Sequence, residues 1–284
     1  MKSALTLMLT LASFCFFLAA SESGQSGLGD KTETRSGWRQ LDRGLEFGTF
    51  AAPQAAAVGD SLVRVLRIDL NYYRLRLLNA SQFKNGVALT PKQWCRQNGL
   101  TAAINSSMYR TDFKTSVSLM RTKIHTNNPR LSKDMAILAF DRQSDDIPRA
   151  KIIDRECDDF QLWQQKYGTL VQSIRMISCT GKNVWKPQQR RWSTSAIGID
   201  KEDHILFIHV RSPYSTHDLI NMLQILPLNI LRAMYTEGGP QAQLHIKSGA
   251  TEFAFTGSYD THSTQSNEGA IAWPLPNVVG ISKR

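Results

Sequence analysis

Two stretches near the start of the chain interleave apolar residues with arginine. VRVLRIDL (63–70) and YRLRLLN (73–79) have the spacing of half-buried strands, which places Arg64, Arg67, Arg74 and Arg76 on a solvated sheet face. Thr90-Pro91 then opens a short helix, with Thr90 as cap and Pro91 at the first position. That helix carries Trp94 and Cys95 and ends near Asn98-Gly99. LTAAIN (100–105) and MAILAF (135–140) are short, continuous apolar runs, as in buried strands. SAIGID (195–200) and HILFIHV (204–210) form a strand pair joined by the polar turn Lys201-Glu202-Asp203. A second helix follows. Ser215 caps it, with Asp218 three residues on; Leu219, Ile220, Leu223 and Leu226 share a face, and Pro227 stops it. AMYTE (233–237), QLHIK (243–247) and NVVGIS (277–282) are further strands. Strands outnumber helices, and there is no regular βαβ alternation, repeat or internal linker. The expected fold is α+β: one strand-rich domain with a mixed sheet and a few flanking helices.

The domain does not begin at residue 1. Lys2 precedes an apolar run from Leu5 to Ala20, and the small residues Ala19, Ala20 and Ser21 end it. The pattern is that of a secretory signal peptide over 1–21. An uncleaved anchor is the rival reading, but the run is short for a span of about 20 residues. Residues 22–36 are polar and rich in Gly and Ser, a disordered tether, leaving 37–284 as the folded unit. The expected address is outside the cytoplasm, periplasmic or extracellular, with no transmembrane segment after the leader is removed. Three cysteines remain beyond the leader: Cys95, Cys157 and Cys179. An oxidising compartment permits one disulfide and one thiol, with three pairings open and Cys157–Cys179 preferred. No CxxC or Cys/His ligand spacing occurs, so no structural zinc is expected.

Composition adds a constraint on partners. The 284 residues include 34 Lys or Arg against 24 Asp or Glu, a formal charge of +10, and 42% are hydrophobic. Such a chain can build a core, which excludes a disordered polymer. The basic excess favours an anionic partner: nucleic acid, a membrane surface or a phosphorylated substrate. A wet sheet face is the plainer origin of much of it. Nucleic acid is disfavoured by the export signal and by the absence of a basic helix or aromatic-interleaved motif. GxSxG, HExxH, P-loop and GxGxxG motifs are all absent. The six histidines form no metal-ligand pattern. His204 and His209 sit in or beside a strand as structural residues, and the helix dipole at His217 disfavours its cation. Asp145-Asp146 and Asp158-Asp159 are expected to be solvated loop pairs.

What remains is a set of places where apolar strands end in small polar residues. AAINSSMY turns into Asn105-Ser106-Ser107, and HVRSPYS into Arg211-Ser212. RRWSTSAIGID carries Ser193-Thr194-Ser195, VQSIRMIS carries Gln172 and Arg175, and AMYTEGGPQAQL ends in Glu237-Gly238-Gly239-Pro240. A carboxylate before two glycines lets substrate approach the backbone closely, although a plain turn explains the same residues. Taken in order, AINSSMY, TSAIGID and TEGGPQAQL resemble the phosphodiester glycosidase family, to which the lysosomal uncovering enzyme belongs. QSIRMIS, RSPYSTHDL and PNVVGIS are similar to its secreted bacterial branch. The resemblance spans Leu100 to the C-terminus.

The resemblance implies hydrolysis of a sugar-1-phosphodiester on a phosphorylated glycan; the residues themselves name no cofactor and no metal ligand. Glu237 would be the catalytic carboxylate, as base or nucleophile. Substrate contacts would come from Asn105, Ser107, Gln172, Arg175, Thr194, Ser195, Arg211, Gly238 and Gly239, the arginines clamping phosphate through their fork geometry. Two departures stand out. Thr194 occupies a position where many members carry arginine, and Ser106-Ser107 replaces a more glycine-rich pair. They leave room for a second reading, an envelope glycan-binding protein of the same fold without turnover.

Overall fold

The computed structural model describes residues 36–258 and 271–284. The expected leader, and all of the tether except Ser36, lie outside the described residues. The chain opens with β1 (Ser36–Asp42), β2 (Leu45–Ala51) and β3 (Leu62–Ile68), then crosses to β4 (Tyr73–Asn79), helix α1 (Pro91–Asn98) and β5 (Ala102–Asn105). Next come β6 (Met120–Arg121), β7 (Thr126–Asn128), β8 (Ala136–Arg142), β9 (Ala150–Asp154), helix α2 (Phe160–Gln164) and β10 (Tyr167–Ile177). The remainder is β11 (Trp192–Asp200), β12 (Ile205–Tyr214), helix α3 (Thr216–Ile225), β13 (Ile230–Gly238), β14 (Gln243–Ser248), β15 (Thr251–Thr256) and β16 (Asn277–Lys283).

Two sheets result. Eleven strands form the larger, along the path β1-β2-β3-β12-β11-β13-β10-β6-β7, with β8 and β9 branching from β10; five form the smaller, ordered β15-β14-β5-β16-β4. The α+β, strand-rich expectation is met. The mixed sheet is corrected: every pairing between named strands is antiparallel.

Alternation along the strands sorts side chains into layers. Leu66, Ile197, Ile199, Ile205, Phe207 and Met234 of the large sheet pack against Leu75, Leu77, Ile104, Leu244, Val279 and Ile281 of the small one. Val63, Val65, Ala196, Leu206, Ile208 and Tyr235 point the other way, onto Leu219, Ile220 and Leu223 of α3. On the outer face of the small sheet, Trp94 and Cys95 of α1 pack on Leu78, Ala103 and Val278. The order is therefore α1, small sheet, large sheet, α3. Both helices start as their sequences dictate. Thr90 and Gln93 form a reciprocal capping box, and Gly99 ends α1 in the left-handed region at φ 63°. Ser215 accepts from Asp218 N at 3.0 Å to begin α3.

Some residues read as solvated are not. Arg64 is buried, because alternation turns it toward the small sheet; it pairs with Asp60 at 2.7 Å and lies 4.8 Å from the Phe255 ring centre. Arg67 is partly covered against Glu46 and Trp38. Asp158 and Asp159 are not a free loop pair: Asp158 binds Arg232 and Lys151, and Asp159 caps α2. Cys157 is bonded to Cys179, and Cys95 stays a buried thiol whose pKa burial pushes up to about 12. No helix among the described residues is long and apolar enough to cross a membrane.

Candidate active site at the end of the sheet interface

The inter-sheet face changes character within one strand register. Across β3, β12 and β11, Leu66, Phe207 and Ile197 lie side by side in the apolar core. Two residues further along each strand, the same face presents Arg64, His209 and Ser195, also side by side and all buried. Buried polar groups need partners, and these find them across the interface. Ser195 Oγ donates to Asn105 Oδ1 at 3.2 Å, and His209 Nε2 meets Ala242 O at 3.1 Å. Burial, then the Arg64 charge, lowers the His209 pKa to about 3, so its imidazole is neutral and structural, as the sequence indicated. Asp60 answers Arg64 and also accepts from Ser212 Oγ at 3.2 Å.

Glu237 lies beside this polar layer. Ser195 pairs with Glu237, yet its neighbour Ala196 pairs with Tyr235, so β13 carries one extra residue at Thr236. Such a bulge re-aims side chains and is common beside active sites. Thr236 Oγ1 lies 2.8 Å from Ser195 Oγ. Burial raises the Glu237 pKa to about 7, against a partial offset from the Gly238 N–H that donates to Oε1 at 3.0 Å. Tyr235 feels the same burial and the Glu237 charge, both raising its pKa. The carboxyl is partly open to solvent but densely surrounded, a setting in which acid and base forms coexist near neutral pH.

The glycines after Glu237 are required by space and conformation. A Cβ on Gly238 would overlap the Tyr235 hydroxyl and come within 2.7 Å of Trp192 Cδ1. Gly239 takes φ 65° to start a 3-10 turn, Gly239–Gln241. Gly238 pairs with Thr194, which pairs with Val210, so Arg211 stands one residue beyond that row. Arg211 is buried; burial lowers its pKa, Asp60 opposes, and Arg64 adds to the lowering. Ser193 Oγ donates to the Arg211 carbonyl and accepts from Ser258 N at 2.9 Å.

The expected site residues divide in two. Glu237, Gly238, Gly239, Ser195, Thr194, Asn105 and Arg211 converge on this end of the interface. Thr194 is buried, its hydroxyl 3.5 Å from Trp192 O. Asn105 and Ser195 serve mainly as struts, since Asn105 also donates to Gln241 O at 2.6 Å and accepts from Gln243 N at 2.9 Å. Ser107 pairs with Ser116 Oγ at 3.0 Å. Gln172 is corrected to a structural role. Its carbonyl accepts from Leu119 N and Ser132 N, and its amide donates to Ser132 O and Asp134 O, which exhausts its capacity. Arg175 is likewise corrected, because Asp154 at 2.7 Å and Glu156 at 2.5 Å hold its guanidinium in an ion-pair cluster. Residues the sequence does not mark for this neighbourhood are Tyr235, Trp192 and Asp60, and Arg64 is one it marks as solvated. A hydroxyl-bearing aromatic two residues before EGG was their one visible signal.

Neither of two ligand-type groups among the described residues, Asp154 with Cys157 and Cys179 and Asp200 with Glu202 and His204, includes Glu237. A cavity of about 600 Å³ by Phe83, Trp94 and Asn98 lies at α1, away from this chemistry. The profile of the phosphodiester glycosidase family matches residues 98–282, which takes in Asn105, Thr194, Arg211 and Glu237. The chain belongs to the phosphodiester glycosidase family. A solved structure of the zebrafish N-acetylglucosamine-1-phosphodiester alpha-N-acetylglucosaminidase catalytic domain, auto-inhibited by its pro-peptide, is similar at TM-score 0.62 and 12% identity. That alignment covers 88% of this chain and 87% of the zebrafish one. A hypothetical protein from Synechocystis is similar at TM-score 0.58 and 11% identity, over 89% of this chain and 64% of that one. At such identities the likeness shows the fold. No curated protein matches the chain. Within the span matched to the phosphodiester glycosidase family lie the Glu237-Gly238-Gly239 turn and the buried Arg211.

Proposed function

We propose that this phosphodiester glycosidase hydrolyses a sugar-1-phosphodiester on an envelope glycan, with Glu237 as its catalytic carboxylate. The observation that carries the reading is the Glu237 carboxyl, raised to about 7 by burial at a bulged strand end. Ionised Glu237 takes the proton of a water that attacks the anomeric carbon, or attacks that carbon itself to form a glycosyl ester that water then cleaves, releasing the sugar and regenerating the carboxylate. The bond from that carbon to the phosphate oxygen breaks, and a phosphomonoester leaves. Positive charge builds on the sugar ring in the transition state, and Arg211 offers its guanidinium to the departing phosphate. A phosphate is a good leaving group, so a separate strong acid is not required. Gly238 makes room for the Tyr235 hydroxyl and the Trp192 ring beside the carboxylate strand end.

Export is part of the same proposal. The Lys2-to-Ala20 pattern supports a leader, and the Cys157–Cys179 disulfide supports an oxidising address. N-terminal sequencing of the protein from the producing cell tests it, with cleavage near Ala20 expected.

The activity test is release of free sugar from a panel of sugar-1-phosphodiesters, with and without chelator, using wild type and Glu237→Gln. Release by wild type only is the expected result. Binding of the diester without release after long incubation would instead favour the binding-protein reading that Thr194 raises. Equal release by the folded Glu237→Gln protein would remove Glu237 from the mechanism.

A further inference from the structure

A concentration of positive charge lies away from Glu237, where the edge strand β4 of the small sheet meets the end of β8. A pit of about 50 Å³ is ringed by Arg74, Arg142, Arg149 and Arg284 over a floor of Leu70, Leu75 and Phe140. It adjoins a groove of about 520 Å³, which shares Arg74, Leu75 and Asp141 and adds Arg76 and Lys123. Six cationic side chains therefore face two connected hollows.

Their hydrogen bonds hold them in place largely without cancelling their charge. Arg284 Nε donates to Leu70 O at 2.8 Å and Tyr73 O at 3.1 Å, and Arg76 Nη1 donates to Asn98 O at 2.7 Å. Arg74 Nε donates to Ser282 Oγ at 3.0 Å, and Arg142 Nη1 to Ile147 O at 2.8 Å and Asp145 O at 2.9 Å. These acceptors are neutral. Three carboxylates oppose the cluster, one of them the exposed Asp146, which interacts with Arg142. Asp145 pairs with Arg142 but is 97% exposed, and Asp141, lining both hollows, accepts from Thr169. The guanidiniums feel one another: besides burial, Arg149, Arg142 and Arg74 depress the pKa of Arg284, and Arg74 depresses that of Arg76. Fixed, crowded, mostly uncompensated guanidiniums around a small recess form a preorganised seat for phosphate oxygens.

We propose that this edge binds a linear phosphate-bearing polymer with a flexible polyol backbone, one phosphate seated in the arginine pit and its neighbours along the groove. The cationic lining selects phosphate, and two other polyanionic partners fit it less well. No exposed aromatic residue lines either hollow, so bases would have no stacking platform. The site is recessed, and Ile124 is the one exposed large apolar residue in its lining, which is little for insertion into a membrane. The proposal does not rest on catalysis at Glu237 and stands if that assignment fails.

The test is titration of the full chain with a poly(glycerol phosphate) of about ten repeats in low salt. An oligo-dT of equal phosphate number, phosphatidylglycerol vesicles and inorganic phosphate serve as the comparison probes. Binding that weakens with salt, with the polymer preferred over oligo-dT and vesicles, is expected. Arg149→Gln combined with Arg284→Gln should weaken it by ~10-fold or more by loss of two phosphate contacts. Asp141→Asn should tighten it, and asparagine tolerates the φ of 60° at that position. The opposite signs of the two effects separate a charge site from general loss of structure. Absence of polymer binding, equal affinity for oligo-dT, a preference for vesicles, or indifference to both variants would overturn the proposal.

Discussion

Ser195 Oγ donates to Asn105 Oδ1 across 3.2 Å, joining the middle of the large sheet to the end of a strand in the small one. Because Ser195 also pairs with Glu237, the candidate carboxylate is positioned by a contact between two sheets rather than by its own strand alone.

Asn105→Ala should therefore act on both stability and activity. It removes the partners of Gln243 N and Gln241 O in one step, and one of the partners of Ser195 Oγ. A loss of about 2–4 kcal/mol in denaturant unfolding is expected from buried groups left unpaired. Catalytic turnover should fall while the protein remains folded at low temperature. Unchanged unfolding would show that the strut carries no load.

Glu237 gives a pH signature with a definite sign. Its folded pKa, about 7, lies above the 4.5 of an ordinary glutamate, so the native state holds the proton more tightly. Stability from this group is complete below pH 4.5 and falls as pH rises through 7, by on the order of 3 kcal/mol. Glu237→Gln abolishes that dependence. Its melting temperature should exceed that of wild type at pH 8 and match it near pH 4.5. Activity of the variant should drop by about 10²–10⁴-fold.

Gly238→Ala places a methyl group against the Tyr235 hydroxyl and Trp192. A loss of about 1–3 kcal/mol is expected from overpacking. Tyr235→Phe removes the nearer obstacle, so the double variant should recover part of the loss. Simple additivity in the double-mutant cycle would count against the contact.

The disulfide closes the chain between residues 157 and 179, where Asp154 accepts from Cys179 N at 2.8 Å and binds Arg175. Replacing both cysteines with serine should lower stability by about 3 kcal/mol on the loop-entropy scale. Thermal melts under oxidising conditions would show it, and added reductant should lower wild type toward the variant.

Much of the architecture was legible in local pattern. The caps at Thr90 and Ser215, the β11–β12 pair and the EGG turn are each written within a few residues. The errors share a cause. Arg64 reads as wet because its neighbours alternate, yet Phe255, far along the chain, covers it. Gln172 and Arg175 read as substrate contacts because polar residues at a strand end invite that reading. Ser132 and Asp134, distant in sequence, saturate Gln172, and Asp154 and Glu156 hold Arg175 in an ion-pair cluster. The raised Glu237 pKa was equally invisible, since burial belongs to the assembled sheets and not to the tetrapeptide around it.

Strand β16 lies between β4 and β5 in the small sheet, although it follows both by well over a hundred residues in the chain. β5 ends in Asn105, so the strand supporting the site lacks one of its neighbours until residues 277–283 arrive. During ribosomal synthesis the carboxylate at 237 emerges before its frame can close. Any form lacking residues 277–283 therefore leaves β5 with an open edge next to Asn105, and the last strand completes the support of the whole site.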